Sequence, residues 1–297
     1  MSFRCAAASE ERSESMAGTA STVRSFLLVE HPGPWGVDAL RDARMPDGIG
    51  PELRARAAAT GTKVLLIRRP AGASRDAEGV RVFAAYAHHA EPWLETTVLG
   101  DLAEVHDLDL EALGGGRSPG LSAHPGPVLA VCTHGRHDAC CAERGRPVAA
   151  GLAELFPEQT WEVSHIGGDR FAGNLLVLPY GFYFGRLDPV TARGVARLLA
   201  AGEVDLDHLR GRSGLPMSLQ AAEAALRRHV DERRVSAVRL LSREVHDGRT
   251  DAVFDVDGRR YAVAVTSSRG PELETLTCRA LRQNPVMHHE VHEIRAL

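Results

Sequence analysis

The chain has 297 residues, 44% hydrophobic and 25% charged, with a formal net charge of −4. This is the ordinary composition of a soluble globular protein of one or two domains, and the slight negative balance removes any case for non-specific nucleic-acid binding. No apolar run approaches the roughly 20 residues that a membrane-crossing helix needs.

The first eighteen residues, MSFRCAAASEERSESMAG, lack the apolar centre of a secretory signal. Residues 1–20 read as a flexible, polar N-terminus, and the chain is expected in the cytoplasm. Structural disulfides are unusual there, so clustered cysteines point to metal ligands or redox thiols.

Residues 25–30 (SFLLVE) predict a first strand, followed by the turn-rich loop His31-Pro32-Gly33-Pro34-Trp35-Gly36. Residues 49–60 have helical composition, and 62–68 and 81–87 predict two more strands, with 92–99 in part a fourth. Residues 102–113 carry Leu and Ala at near-helical spacing. The Gly- and Pro-rich stretch 114–126 (GGGRSPGLSAHPG) reads as a linker and a domain boundary.

Most of the chemical signal follows that boundary. The short run Val128-Leu129-Ala130-Val131 predicts a buried strand ending in Cys132. A polar loop with His134 and His137 leads to Cys140-Cys141, and then a helix over 146–155 with Pro147 in its first turn. A second strand over 161–164 delivers His165, and Gly167-Gly168 free the backbone for a tight turn before Asp169. Strand, ligand loop, helix, strand, ligand loop is a layout that brings both loops to one sheet edge. Thiolates and imidazole hold [2Fe–2S] clusters, and a single Zn accepts the same donors with a carboxylate; donor type does not separate the two.

Beyond the site, 175–178 and 182–186 predict a hairpin, and 191–201 and 218–233 predict helices. From Val235 the pattern alternates. Residues 236–245, 251–256 and 259–266 predict antiparallel strands, with Asp257-Gly258 as a two-residue turn. Short strands near 274–281 and 289–294 complete a small sheet, with Cys278 buried in one of them.

The motif Cys132-Thr-His-Gly-x4-Cys141, followed by Ser164-His165-Ile-Gly-Gly-x-Arg-Phe-Ala-Gly-Asn174, resembles the sucrase/ferredoxin-like family, thioredoxin-like ferredoxins related to the yeast actin-patch-distal protein. The likeness extends to LLVLPYGFYFGRL and to LLVEHPGPWG, covering residues 21 to about 201. It implies an α/β (α+β) fold with two thioredoxin-like units: a degenerate one over 21–113, and one over 127–234 carrying a [2Fe–2S] cluster. A C-terminal antiparallel β extension over 235–297 follows. The family's cluster is held by two Cys and two His. Here the second His of the His-x3-His pair is Asp169. Either Asp169 ligates iron, or it orients a ligand while Cys140, His134 or His137 supplies the fourth bond, or the site is incomplete. Direct ligation is the favoured reading, because the spacing keeps Asp169 where a ligand belongs. Asn174 is expected to brace the loop.

The expected activity is one-electron transfer and not catalysis, with Cys132, Cys141, His165 and Asp169 as cluster and metal ligands. The partners would be a flavin-dependent reductase and an unknown acceptor. Two other readings are a structural zinc module and a thioredoxin-type thiol-redox protein; the latter lacks the Cys-x-x-Cys pair it needs.

Overall fold

The computed structural model describes residues 2–71 and 79–297. A short helix α1 (Cys5–Glu11) precedes β1 (Ser25–Glu30), α2 (Ala39–Asp42), α3 (Ile49–Thr60), β2 (Thr62–Arg68), and the hairpin β3 (Val80–Tyr86) and β4 (Trp93–Leu99). Helix α4 (Leu110–Gly114) and the two-residue strand β5 (Ser122–Ala123) lead into β6 (Val128–Cys132), α5 (Ala139–Ala153), β7 (Thr160–Val163), and a second hairpin, β8 (Leu175–Leu178) and β9 (Phe182–Phe184). Next come α6 (Pro189–Ala200), β10 (Leu209–Arg212) and α7 (Met217–His229). A separate antiparallel sheet follows: β11 (Val238–His246), β12 (Arg249–Val256), β13 (Arg259–Glu274) and β14 (Asn284–Ala296).

The two halves repeat one plan. β1 pairs parallel with β2 and antiparallel with β3; β6 pairs parallel with β7 and antiparallel with β8. Each unit is thus a strand–helix–strand crossover plus a hairpin. Strands β2 and β7 join antiparallel through Ile67–Val163 and Arg68–Glu162, so both units share one ten-stranded sheet.

Alternating side chains of the strands serve two faces. On one face Phe26, Leu28, Leu65 and Ile67 of the first unit share a core with Val128, Ala130, Trp161 and Leu176 of the second. On the other face each unit has its own core, under α3 and under α5 with α6. The second sheet packs Phe254, Val263 and Val265 against Leu219, Ala222 and Leu226 of α7. No helix among the described residues is long and apolar enough to cross a membrane.

Several expectations change. The N-terminus expected to be flexible is ordered. Its helix buries Cys5 and Ala6 against Cys140 and Ala172, and Arg4–Glu143, Glu10–Arg144 and Glu14–Arg170 ion pairs fasten it to the second unit. The 114–126 linker contributes β5, which pairs with β4 through Glu95–Ala123. Helix α5 starts at Ala139, well before the predicted 146, because the Asp138 carboxylate accepts the Cys140 N–H and caps it there; Pro147 falls inside the helix. The strand expected near 274–281 is a connection between β13 and β14. It leaves the sheet where the Cys278 N–H is drawn to Asp138 Oδ2 at 2.6 Å, so Cys278 sits half-buried in a loop and not in a strand.

Candidate metal centre

Cys132 ends β6, where its N–H donates to Asn174 O at 2.9 Å. The following turn is held by Thr133 Oγ1, which donates to Glu162 Oε2 at 2.8 Å. Cys140 and Cys141 then occupy the first turn of α5. Consecutive helical residues differ by about 100° in direction, so the two thiols face different surroundings. Cys141 turns into the shared core beside Cys132.

The second loop is tied to both units. After β7, Ser164 N donates to Leu66 O and its Oγ accepts from Leu66 N, at 2.8 and 3.0 Å. Gly167 and Gly168 have φ of 97° and 77°. A Cβ on Gly168 would stand 2.1 Å from Arg210 Nη2, so glycine is required there for space as well as conformation. Arg210 is entirely buried and donates to Gly167 O, Thr19 O and Asn174 Oδ1, while Asn174 Nδ2 donates to Gly168 O at 2.8 Å. Asn174 thus braces the loop, and Arg210 braces Asn174. Burial brings the Arg210 guanidinium down to about 10.

These supports bring the side chains together. Ligand atoms of Cys132, Cys141 and His165 lie within 4.8 Å of one another, and so do those of His137, His165 and Asp169. Cys141 Sγ donates to Asp169 Oδ1 at 3.1 Å, and His165 Nδ1 is 2.9 Å from the same oxygen. His165 Nδ1 is buried and makes no well-aligned hydrogen bond, although it stands in ion-pair range of that carboxylate. Such an atom suits a metal ligand.

Charge is already organised for a cation. The Cys132 thiol is held well below its usual range, first by the neighbouring Cys141 thiol and then by His165, against the cost of burial. Cys141 is correspondingly pushed up by Cys132 and by burial. Burial alone would lower His165, but Asp169 and Cys132 overcome it and push the imidazole up to about 9. Burial resists ionisation of Asp169, yet His165 holds its carboxyl below the ordinary carboxylate range. These shifts favour the charged forms of Cys132, His165 and Asp169, and a bound metal would displace protons from His165 and Cys141.

The three other candidate ligands separate clearly. His134 has both ring nitrogens engaged: Nδ1 accepts from His165 N–H at 3.1 Å and Nε2 donates to Gly36 O at 2.9 Å. Cys140 points to Cys5 and Cys278, away from the centre. His137 is different. Its Nδ1 binds Val37 O at 3.2 Å, its ring stacks on His165 at 3.7 Å between centroids, and its Nε2 lies 3.9 Å from Asp169 Oδ2. The spacing of the motif gave no means of choosing between His134 and His137; the distinction comes from the loop 31–36 of the first unit. That loop supplies the carbonyl for His134 and packs Trp35 edge-on against its ring. A cleft of about 530 Å³ opens beside His137 and His165, with Arg41, Arg54 and Lys63 in its wall.

The model of the sucrase/ferredoxin-like family matches residues 16–211. The chain belongs to the sucrase/ferredoxin-like family. No curated protein and no solved structure matches it. The family region spans both crossover units and the whole constellation from Cys132 to Asp169, a group of Cys, His and Asp able to hold a metal. Residues Cys5 and Cys278 lie outside it.

Proposed function

We propose that this family member is a cytoplasmic one-electron carrier that holds a [2Fe–2S] cluster through Cys132, Cys141, His165 and Asp169. The observation that carries the reading is the meeting of two thiols, an imidazole and a carboxylate from two loops, with His165 Nδ1 buried and without a well-aligned hydrogen bond. A cluster bound there would supply reversible one-electron redox chemistry.

The chain's own groups supply the rest. Once a cluster is bound, Cys132 and Cys141 would bring anionic sulfur from the end of β6 and the first turn of α5. Asp169, with only 2% of its side chain exposed, brings a second kind of anion, while His165 keeps 26% of its side chain exposed. That partial exposure, at the cleft, is where a proton can reach the imidazole and where a redox partner can approach closely. His137 covers the His165 ring and limits water access. A flavin-dependent reductase and a separate acceptor would complete the electron path.

One observation favours a second reading. The ligand atoms of Cys132, Cys141 and His165 fit within 4.8 Å, a span that a single zinc ion can also bridge. Visible absorption of freshly purified protein, with electron paramagnetic resonance after reduction, separates the two. Red-brown protein with an axial or rhombic signal lost in Cys132→Ser supports the carrier. Colourless protein with zinc lost in the same variant overturns it.

A further inference from the structure

A second group of metal-binding atoms lies on the opposite side of the α5 N-terminus. Cys5 comes from α1, Asp138 and Cys140 from the start of α5, and Cys278 from the connection between β13 and β14. Their ligand atoms all lie within 4.8 Å of one another. Cys140 Sγ is 3.4 Å from Cys278 Sγ, and Cys278 Sγ is 3.6 Å from Cys5 Sγ. Cys5 Sγ is 3.6 and 3.7 Å from the two Asp138 oxygens.

These separations have a simple geometric meaning. Zinc at about 2.3 Å from each thiolate in a tetrahedron places the sulfurs about 3.8 Å apart. The observed edges are close to that without any rearrangement of the backbone. A cubane iron–sulfur cluster, in contrast, puts each thiolate on a different iron and spreads the sulfurs much further. A disulfide can use only two of the three thiols and would leave the third beside it. Three cysteines and a carboxylate also match the four donors of a closed structural zinc site.

The surroundings agree. Each Asp138 oxygen accepts one backbone N–H, from Cys140 at 2.9 Å and from Cys278 at 2.6 Å, which orients the carboxylate and leaves a lone pair on each oxygen. Arg4 and Arg144, each paired first with a carboxylate of its own (Glu143 and Glu10), also lie close enough to interact electrostatically with the thiols.

We infer that Cys5, Cys140, Cys278 and Asp138 form a structural zinc site, separate from the proposed cluster site and independent of it. The ion ties the N-terminal helix and the C-terminal sheet, both outside the family region, to the helix that carries Cys141. A structural metal of this kind contributes folding free energy directly.

The test is the zinc content of the full-length chain, purified anaerobically and measured by mass spectrometry. About one zinc per chain is expected in the wild type and in the Cys132→Ser/Cys141→Ser double variant, with most of it lost in Cys278→Ser. Cys278 lies half-buried in a connecting loop, so Cys278→Ser should keep the fold, checked by circular dichroism. Asp138→Asn retains an oxygen for the helix cap but removes the charge, and should weaken zinc about tenfold or more in a chelator competition. Cobalt-loaded protein should show a thiolate charge-transfer band that disappears in Cys278→Ser. Zinc retained at the wild-type level in Cys278→Ser, zinc lost only with Cys132 and Cys141, or a Cys140–Cys278 disulfide in anaerobically handled protein would each overturn the inference. Failure of the electron-carrier reading would leave the Cys278-dependent zinc unchanged.

Discussion

The thiol of Cys140 lies 3.4 Å from that of Cys278, while the thiol of its chain neighbour Cys141 lies 3.1 Å from Asp169 Oδ1. One helical step therefore divides two groups of side chains able to hold a metal. The Asp138 cap sets this division, because it starts α5 at Ala139 and so fixes the direction in which each thiol leaves the first turn. Moving the helix start by one residue would exchange or spoil both groups together.

The anionic oxygen of Asp169 should depress the reduction potential of the proposed cluster relative to a neutral imidazole. Asp169→His is expected to raise the potential in a redox titration followed by visible absorption. An unchanged potential would place the carboxylate off the iron and leave His137 Nε2, 3.9 Å from Asp169 Oδ2, as the fourth donor.

Gly145 lets α5 lie directly on the end of β6. A Cβ there would meet Cys132 O at 2.0 Å, a backbone atom that cannot swing away. Gly145→Ala should cost about 1–3 kcal/mol in urea denaturation, as overpacking does, and should lower metal occupancy by displacing Cys132. A variant with wild-type midpoint and full occupancy would contradict the close approach.

Glu223 sits between Arg212 and Arg227 at 2.8 and 2.9 Å, and all three side chains are at most 4% exposed. The arginines also hold Val235 O, which ties β10 and α7 to the start of the C-terminal sheet. Glu223→Ala strands two buried cations and should cost about 3–5 kcal/mol. Chemical denaturation measures it; a loss below about 1 kcal/mol would show that the network is not a structural anchor.

The pair His208–Asp205 gives the folded state a pH dependence. A hydrogen bond from the His208 ring to Asp205, at 3.0 Å, raises the imidazole, with Asp207 and Asp188 adding to the effect. Burial opposes ionisation of Asp205, but His208 holds its carboxyl below the usual value. The His208 contribution is complete below its unfolded value of about 6.5 and is lost as pH rises through its higher folded value. The Asp205 contribution is complete above about 3.9 and is lost as pH falls through its lower folded value. The pair therefore stabilises most between about pH 4 and 6.5. Nuclear magnetic resonance titration should place His208 above 6.5, and His208→Asn should flatten the fall in stability on the alkaline side. A folded His208 at or below 6.5 would refute the assignment.

Local chemistry was legible where neighbours in the chain decide the outcome. Strands β1 and β2 and helix α3 have the bounds that their apolar runs and flanking turns predict. The Asp257-Gly258 hairpin turn is present, with both residues at positive φ. Strand β10 was not legible. It reads Leu-Arg-Gly-Arg, and its arginines are buried only because Asn174, Gly167 and Glu223 receive them from elsewhere in the chain. Helix α1 was missed for the same reason: its buried face is small, and its partners Cys140, Glu143 and Arg144 lie more than a hundred residues away.

By itself the sequence determined most strands and helices, the two loops and the four residues Cys132, Cys141, His165 and Asp169 as candidates, because strand ends and glycine turns are set by short-range sterics and hydrophobic periodicity. Only the tertiary structure decided that His134 is consumed by Gly36 and His165 while His137 Nε2 faces Asp169. Only it joined Cys5 and Cys278 across 273 positions. A side chain's nearest donors and acceptors are a property of packing, and packing brings together atoms whose separation along the chain carries no signal of their meeting.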